Sequence, residues 1–376
     1  TKAFFVTNQT VPDRKRAEVE DVLRNEHNID VRILDRTWIL DRVFKGKNEA
    51  LAAEELGLTA LSRRAVIKGP LDVKREEELN EIEERIRESV QLGRINSSLV
   101  DDALDAADLA RNIERPRTEV EGRYSRAIQI AGKHGTLRQK IEASYQWAWT
   151  LYFWFEDYDA FVEQYTIVEK LALGSRNVYD LERLTSLWYC LHASVRYGIL
   201  DAQLTTYETH TEILSSELQR LQKEKDRPST ALQAETLFLK IQMTRRIAAE
   251  KPVDDLLRFL QDVVLRSKGL VGYPLEPLVE ILTEIGPVLE GSIEYDKLFE
   301  TIVEVTSARD GEVRAARMLL IRGKQQILQD RNVEAIATLG RALQPLYKYE
   351  TRYDIVQALY LCSCAYDEMG LLWAAR

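Results

Sequence analysis

The side chains that could carry chemistry are scattered along this chain of 376 residues. Its four histidines stand at positions 27, 134, 192 and 210, and none is spaced to share a metal ion or to act as the base for a nucleophile. The three cysteines are Cys190, Cys362 and Cys364, and the last two would point about 200° apart on a helix. The sequence has no G-x-x-x-x-G-K-S/T phosphate loop, no G-x-S-x-G and no H-E-x-x-H. We therefore predict no catalytic residue, no metal site and no cofactor in this chain.

Carboxylates near the N-terminus are the residues that could serve metal-dependent cleavage of DNA. This reaction needs acidic groups that are fixed on a rigid element and hold a divalent ion. Asp30 and Asp35 flank a predicted strand, but neither has a lysine two residues on. The nearest Asp-x-Lys is Asp72-Val73-Lys74, which enters a highly charged helix. We expect no nuclease activity from these residues.

Two groups of residues are candidates for binding. Ten aromatic side chains lie within residues 145–165, and among them Trp149 and Tyr152 are candidates for stacking on a peptide or on a nucleotide ring. Most of this cluster is expected to be core, because a helix packed on both of its neighbours is apolar on two sides. Near the N-terminus, Arg14, Lys15 and Arg16 are candidates for phosphate contact. Their acidic neighbours favour the alternative, a solvated face.

The elements that would position these residues are mainly helices. Glycine and proline make up 17 and 9 of the 376 residues, or about 7% together, which is well below their usual combined share of roughly 12%. Such a shortage of turn-forming residues is typical of a chain of long helices. A net charge of −9 and the lack of any run of 18 apolar residues predict neither a membrane span nor a strongly basic surface for nucleic acid. Three cysteines fit no disulfide framework and favour a reducing cytoplasm. The chain begins at Thr1 and stops at Arg376 inside a helical pattern, so we expect a piece of a longer protein.

Residues 1–46 are predicted to form a partial α/β segment. Residues 3–6 and 31–34 are typical of short strands, residues 13–26 of a helix between them, and residues 35–44 of a second short helix. Two strands are too few for a stable sheet, so most of this domain is expected before Thr1. Residues 47–97 are predicted to be a helical connector, with an apolar stripe at Leu79, Ile82, Ile86 and Val90.

A repeated helical pattern follows over residues 98–376. It is clearest where small and apolar residues stand at spacings of 4, 12, 4 and 3, namely Leu319, Gly323, Ala335, Leu339 and Ala342. Ser363 and Ala375 take the places of Gly323 and Ala335 in the next unit, 40 residues later. Looser units centre on Ala148, Ala193, Ile241 and Ile285, with a period of 38 to 48 residues. The pattern predicts an α-solenoid of helical hairpins that is truncated at its C-terminus.

Residues 315–376 resemble tetratricopeptide repeats, and residues 98–314 resemble a degenerate or related helical-repeat array. Residues 4–44 resemble the last strand-helix-strand of restriction-endonuclease-like domains, which stand at the front of large prokaryotic repeat proteins often associated with defence against phage. The first resemblance implies binding of a protein or peptide in the concave groove of a superhelix. The second implies that DNA contact is made only through the N-terminal domain and that the metal-binding Asp and the Glu-x-Lys lie before the segment matched here.

The sequence thus predicts a cytoplasmic interaction scaffold or sensor array of a larger prokaryotic protein. One alternative is a fragment of a metal-dependent DNA nuclease whose catalytic core lies outside this chain. A second alternative is the repeat arm of a transcription regulator. The partner, the trigger and the oligomeric state are left open, and a Glu-x-Lys strand or a helix-turn-helix elsewhere in the reading frame would discriminate among the three.

Overall fold

Residues 2–7, 9, 11–44, 70–270, 272–289 and 291–376 are described by the structure, which is a computed structural model. These residues are mostly helical, with seventeen α-helices and one small parallel sheet of two strands, as the sequence predicted. Residues 47–69 of the predicted connector lie outside the described residues. No described helix is long and apolar enough to cross a membrane.

In chain order the elements are β1 (Lys2–Val6), α1 (Asp13–His27), β2 (Asp30–Leu34), α2 (Arg36–Phe44), α3 (Pro70–Gln91), α4 (Ser97–Asn112), α5 (Arg117–His134), α6 (Leu137–Phe153), α7 (Tyr158–Leu173), α8 (Val178–Arg196), α9 (Tyr207–Leu221), α10 (Pro228–Ala248), α11 (Asp254–Ser267), α12 (Glu276–Ile285), α13 (Ile293–Asp310), α14 (Glu312–Leu328), α15 (Asn332–Leu346), α16 (Arg352–Glu368) and α17 (Leu372–Ala375).

The N-terminal strands pair in parallel, with Lys2 opposite Asp30 and Val6 opposite Leu34. Helix α1 connects them and ends where Asn28 adopts a left-handed conformation, with a φ of 51°. Asparagine tolerates this conformation better than most residues, which explains why the predicted turn falls here. On β2, Val31 and Ile33 are buried, whereas the apolar side chains that end β1 are exposed.

Contacts divide the chain into two units, residues 1–139 and residues 140–376. Both predicted boundaries, at 46 and at 97, therefore fall inside the first unit. In that unit α3 buries Leu79, Ile82 and Ile86, while Val90 of the predicted apolar stripe is exposed. Glu83 of α3 accepts hydrogen bonds from two arginines of α5, which lie 40 and 43 residues later.

The second unit is built from consecutive helical hairpins. Close backbone contacts pair α8–α9, α10–α11, α14–α15 and α16–α17. Side-chain hydrogen bonds join the other two pairs, from Gln164 of α7 to the Ser144 carbonyl of α6 and from Tyr295 of α13 to the Leu282 carbonyl of α12.

The two helices of a hairpin pack closely at Gly323 of α14, where an added Cβ would lie 2.6 Å from Cγ of Leu339 on α15. Ser363 of α16 donates a hydrogen bond to the carbonyl of Ala375 on α17, so the corresponding pair is in contact here too.

Many contacts between successive hairpins recur at a similar distance along the sequence. Examples with separations of 37 to 43 residues are Tyr152 with Ser194, Glu169 with His210, Gln261 with Thr301, Leu282 with Gln325, Glu300 with Arg341, and Arg317 with Asp354. Shorter separations of 26 and 35 residues occur where Arg322 and Arg331 contact Asp296 of α13. A longer separation of 52 residues, between Arg196 and Ala248, occurs where residues 197–206 lengthen the link after α8.

The aromatic cluster of residues 145–165 is divided between two helices, because α6 ends at Phe153 and α7 begins at Tyr158. The chain turns at Glu156, whose φ is 49°, and the side chain of Asp157 then accepts a hydrogen bond from the Ala160 N–H to begin α7. An aspartate at this position stabilises the start of a helix, so the cap of α7 outweighs the aromatic pattern.

Candidate functional site

The three N-terminal residues proposed for phosphate contact lie at the start of α1. The side chain of Arg14 is not among the described ones, and Lys15 is exposed. Arg16 is engaged in a contact within the segment, because its Nη2 lies 2.9 Å from Oδ2 of Asp35. A guanidinium held by a carboxylate is less available to a phosphate.

The carboxylate of Asp35 has a structural role at the end of β2. It is buried and accepts hydrogen bonds from the backbone N–H groups of Val11 and Trp38, each at 3.1 Å. These two N–H groups, followed by the charge of Arg16, lower the pKa of Asp35. The carboxylate therefore ties the link before α1 to the start of α2.

The two aromatic candidates on α6 occupy different surroundings. Tyr152 packs edge-on against Phe161 of α7, and its hydroxyl accepts a hydrogen bond from Ser194 Oγ at 3.2 Å. Trp149 instead lies in a row with Tyr145 and Phe153, with centroid distances of 6.0 and 4.3 Å. Phe153 is 50% exposed, so this row reaches solvent, whereas Tyr152 is held within the hairpin.

The first helices of the hairpins form one layer, which we call the first-helix layer: α6, α8, α10, α12, α14 and α16. Each contacts the next through side chains. The contacts are Arg183 with Glu142, Lys240 with the ring of Tyr189, Lys240 with Glu284, Arg314 with Glu276, and Arg317 with Asp354. The aromatic row on α6 belongs to this layer. It is therefore a candidate surface for a partner.

A cleft of about 320 Å³ opens in this layer between α12 and α14. Its apolar lining is Leu275, Val279, Met318 and Ile321, and Thr306 of α13 completes the wall. The charged residues around it are Glu276, Glu280, Asp310, Arg314 and Arg317. We call this feature the α12–α14 cleft.

Most charges around the α12–α14 cleft are paired with each other. Arg314 lies 3.1 Å from Glu276 and 3.5 Å from Asp310, measured between guanidinium nitrogens and carboxylate oxygens. Arg317 donates to Asp354 at 3.0 Å. Glu280 has no ion-pair partner among the described residues and is exposed. The unbalanced charge of the cleft is therefore negative.

A second carboxylate extends this negative surface toward α8. Glu182 forms no side-chain hydrogen bond or ion pair within the described part of the chain. Burial, followed by the negative charge of Glu280, raises the pKa of Glu182. Lys240 and Arg183 oppose this effect but do not cancel it.

The interface of α12 and α14 is fixed beyond the cleft by a polar network at the end of α12. Gln325 Nε2 donates to the carbonyl of Leu282 at 3.4 Å, and Gln329 Nε2 donates to that of Gly286 at 2.9 Å. The hydroxyl of Tyr295 lies 2.8 Å from the same Leu282 carbonyl. The Leu282 carbonyl also accepts the backbone N–H of Gly286, so the side chains of Gln325 and Tyr295 add further hydrogen bonds at the end of α12. An added Cβ at Gly286 would lie 2.5 Å from both Gln325 and Tyr295.

Two of the four histidines, His192 and His210, take structural positions. His210 is buried, with Nδ1 2.9 Å from Glu169 Oε1, and the pair joins α7 to α9. His192 stacks on Trp188 at 5.1 Å, and burial together with nearby arginines lowers the pKa of His192. No group of three or more His, Cys, Asp or Glu among the described residues is arranged to hold a metal ion.

Comparison of the chain with protein-family models, with curated proteins and with solved structures found no match. The assignment of a function therefore depends on the geometry of the chain itself.

Sequence reasoning did not identify the α12–α14 cleft. Its components, Glu280, Thr306 and Met318, belong to three helices and have no spacing in common. The local signal available was the row of glutamates on α12, Glu276, Glu280 and Glu284, which a four-residue spacing places on one side of a helix. Lys240 of α10 pairs with Glu284 and Arg314 of α14 pairs with Glu276, so the tertiary packing of these helices decides which glutamate is left without an ion pair.

Proposed function

We propose that residues 98–376 form a tetratricopeptide-like solenoid and that its first-helix layer binds a segment of another protein. The observation that supports the array most directly is the recurring separation of 37 to 43 residues between many of the contacting residues of successive hairpins. A solenoid has this property because each repeat contacts only its neighbours.

The binding role is supported by the surface that the first helices present. The row of Tyr145, Trp149 and Phe153 offers rings that reach solvent at α6, and the α12–α14 cleft offers an apolar depression further along. Aromatic rings and apolar depressions with a polar rim are typical of surfaces that anchor protein partners. The described residues of this layer include no group of His, Cys, Asp or Glu arranged to hold a metal ion.

The wider setting is part of the same proposal. We infer that the chain is part of a large prokaryotic protein that takes part in defence against phage. This inference is supported by the resemblance of residues 4–44 to restriction-endonuclease-like domains and by the parallel β1–α1–β2 unit in this segment. In this setting the array would act as a scaffold or sensor, and the N-terminal segment would belong to a neighbouring domain.

Hydrogen exchange of the full chain tests the binding role. Peptides of 12 random residues, displayed on phage, are selected against the immobilised protein, and the enriched peptides are synthesised. We expect that a bound peptide slows amide exchange in first helices, mainly α6, α12 and α14, and leaves the second helices α7, α11 and α15 unchanged. Protection confined to the second helices, or failure of selection to enrich any peptide, would refute the proposal.

A further inference from the structure

The α12–α14 cleft contains a buried polar group that no described residue satisfies. Thr306 is 4% exposed, and its hydroxyl oxygen is buried without a hydrogen-bonding partner in the described structure. Buried hydroxyl groups are nearly always hydrogen-bonded in folded proteins, because an unpaired one is costly. Thr306 lines the cleft, so rotation of its side chain about the Cα–Cβ bond can turn the hydroxyl toward a molecule that enters there and supplies the missing hydrogen bond.

The charge around the cleft selects the sign of the ligand. Arg314 is already shared by Glu276 and Asp310, and Arg317 is already paired with Asp354. An anionic ligand would have to displace one of these carboxylates. A cation that enters the cleft meets Glu280, which has no ion-pair partner among the described residues. Electrostatic complementarity of this kind favours a basic partner.

The size and the lining of the cleft select the rest of the ligand. A volume of about 320 Å³ lies at the low end of ligand pockets, which are roughly 300–1,000 Å³, so the cleft suits one anchoring group of a larger molecule. Leu275, Val279, Met318 and Ile321 make its lining apolar, and methionine accommodates side chains of different shape.

From these features we propose that the α12–α14 cleft binds a basic segment of a partner protein. The segment places one aliphatic or aromatic side chain between α12 and α14, hydrogen-bonds to the Thr306 hydroxyl, and sets a lysine or arginine against Glu280. This inference rests on the proposed function and adds to it the chemistry of the partner.

The same random 12-residue peptides provide the probe. We expect the enriched peptides to carry a lysine or arginine within a few residues of an aliphatic or aromatic residue. Fluorescein-labelled copies are titrated by anisotropy against the full chain and its variants. Glu280→Lys should weaken binding at least about tenfold, since it replaces attraction by repulsion. Thr306→Val keeps the shape and should weaken binding roughly two- to tenfold.

Two controls separate binding from folding. Glu212→Lys makes the same charge change on an exposed position of α9, outside the first-helix layer, and should leave the dissociation constant unchanged. Glu280→Gln should flatten the salt dependence of binding between low and high sodium chloride, because a screened charge pair has been removed. Both altered glutamates are exposed, so their variants are expected to melt like the unaltered protein.

The outcomes distinguish this inference from the function on which it rests. Enriched peptides that protect first helices but lack basic residues, or that bind Glu280→Lys as tightly as the unaltered chain, would overturn the basic-segment assignment and leave the binding role intact. Peptides that protect no first helix would overturn both. Basic peptides that lose affinity with Glu280→Lys but not with Glu212→Lys would support both.

Discussion

Substitution of Gly323 tests the close packing of α14 against α15. A Cβ added at this position would lie 2.6 Å from both Cγ and Cδ2 of Leu339, well inside the roughly 3.5–4.0 Å at which carbon atoms attract each other. Leu339 is fully buried, so it cannot move into solvent. Overpacking of this kind typically costs about 1–3 kcal/mol. Gly323→Leu adds three further atoms and should lie at or above the upper end of that range.

A matched control removes the contribution of helix propensity. Alanine is better than glycine inside a helix by about 1 kcal/mol, which partly hides the clash in Gly323→Ala. Gly340 also lies in a helix, α15, but nothing lies within 4 Å of its added Cβ. Gly340→Ala should therefore stabilise the chain by about 1 kcal/mol. The difference between the two alanine variants then equals the overpacking cost alone, about 1–3 kcal/mol.

Thermal unfolding followed by circular dichroism measures this difference. In a domain of 150–250 residues each kcal/mol shifts the midpoint by about 2–4 °C, so Gly323→Ala should melt about 2–12 °C below Gly340→Ala. A Leu339→Ala background provides the decisive comparison, since it removes the atoms that clash. In that background Gly323→Ala should become stabilising. An identical effect of Gly323→Ala in both backgrounds would show that the two helices do not cross closely at this residue.

Three further predictions concern other parts of the chain. His210→Ala should destabilise it by about 3–5 kcal/mol in urea unfolding, because the buried carboxylate of Glu169 loses its partner, and the double variant with Glu169→Gln should cost less than the sum of the two. Partial burial would raise the pKa of Glu83, but its two arginine partners lower this pKa below the usual 4.5. The stability that the ionised Glu83 contributes above that pH should therefore be lost as the pH falls and the folded carboxylate is protonated. In Glu83→Gln the free energy of unfolding should depend less steeply on pH in the acidic range. Incubation of the chain with plasmid and single-stranded DNA in Mg²⁺ or Mn²⁺ should give no cleavage, and reproducible cleavage lost with Asp35→Ala would contradict the structural role of that carboxylate.

Local patterns were enough to predict the elements of the chain. Strands at 3–6 and 31–34 follow from apolar runs and turn residues, and the structure confirms both. The contact of Gly323 with Leu339 also follows from local spacing, because a short link fixes which residues of a hairpin face each other. Each of these inferences needs only residues within one hairpin or one strand-helix-strand unit.

Contacts between residues that are distant in the sequence could not be predicted from local sequence patterns. Trp149 and Tyr152 were equivalent candidates in sequence, and they separate only because Ser194 of α8 and Phe161 of α7 hold Tyr152. Arg16 was indistinguishable from Lys15 until the fold brought Asp35 beside it. In each case the difference between the two residues is caused by a contact with a residue 9 to 42 positions away in the sequence. The type of a side chain does not indicate which distant residue it will contact.

The polar network at the end of α12 would preorganise the α12–α14 cleft for the binding that we propose. Gln325 and Gln329 hold the carbonyls of Leu282 and Gly286, so α12 and α14 are fixed to each other at one end while the cleft remains open beside them. A ligand that enters a fixed cleft does not have to order its walls, and less of the interaction energy is lost on binding. The absence of a Cβ at Gly286 is what lets Gln325 and Tyr295 approach this closely. Gly286, which caps the end of α12, therefore helps to keep the proposed binding site in the α12–α14 cleft preorganised.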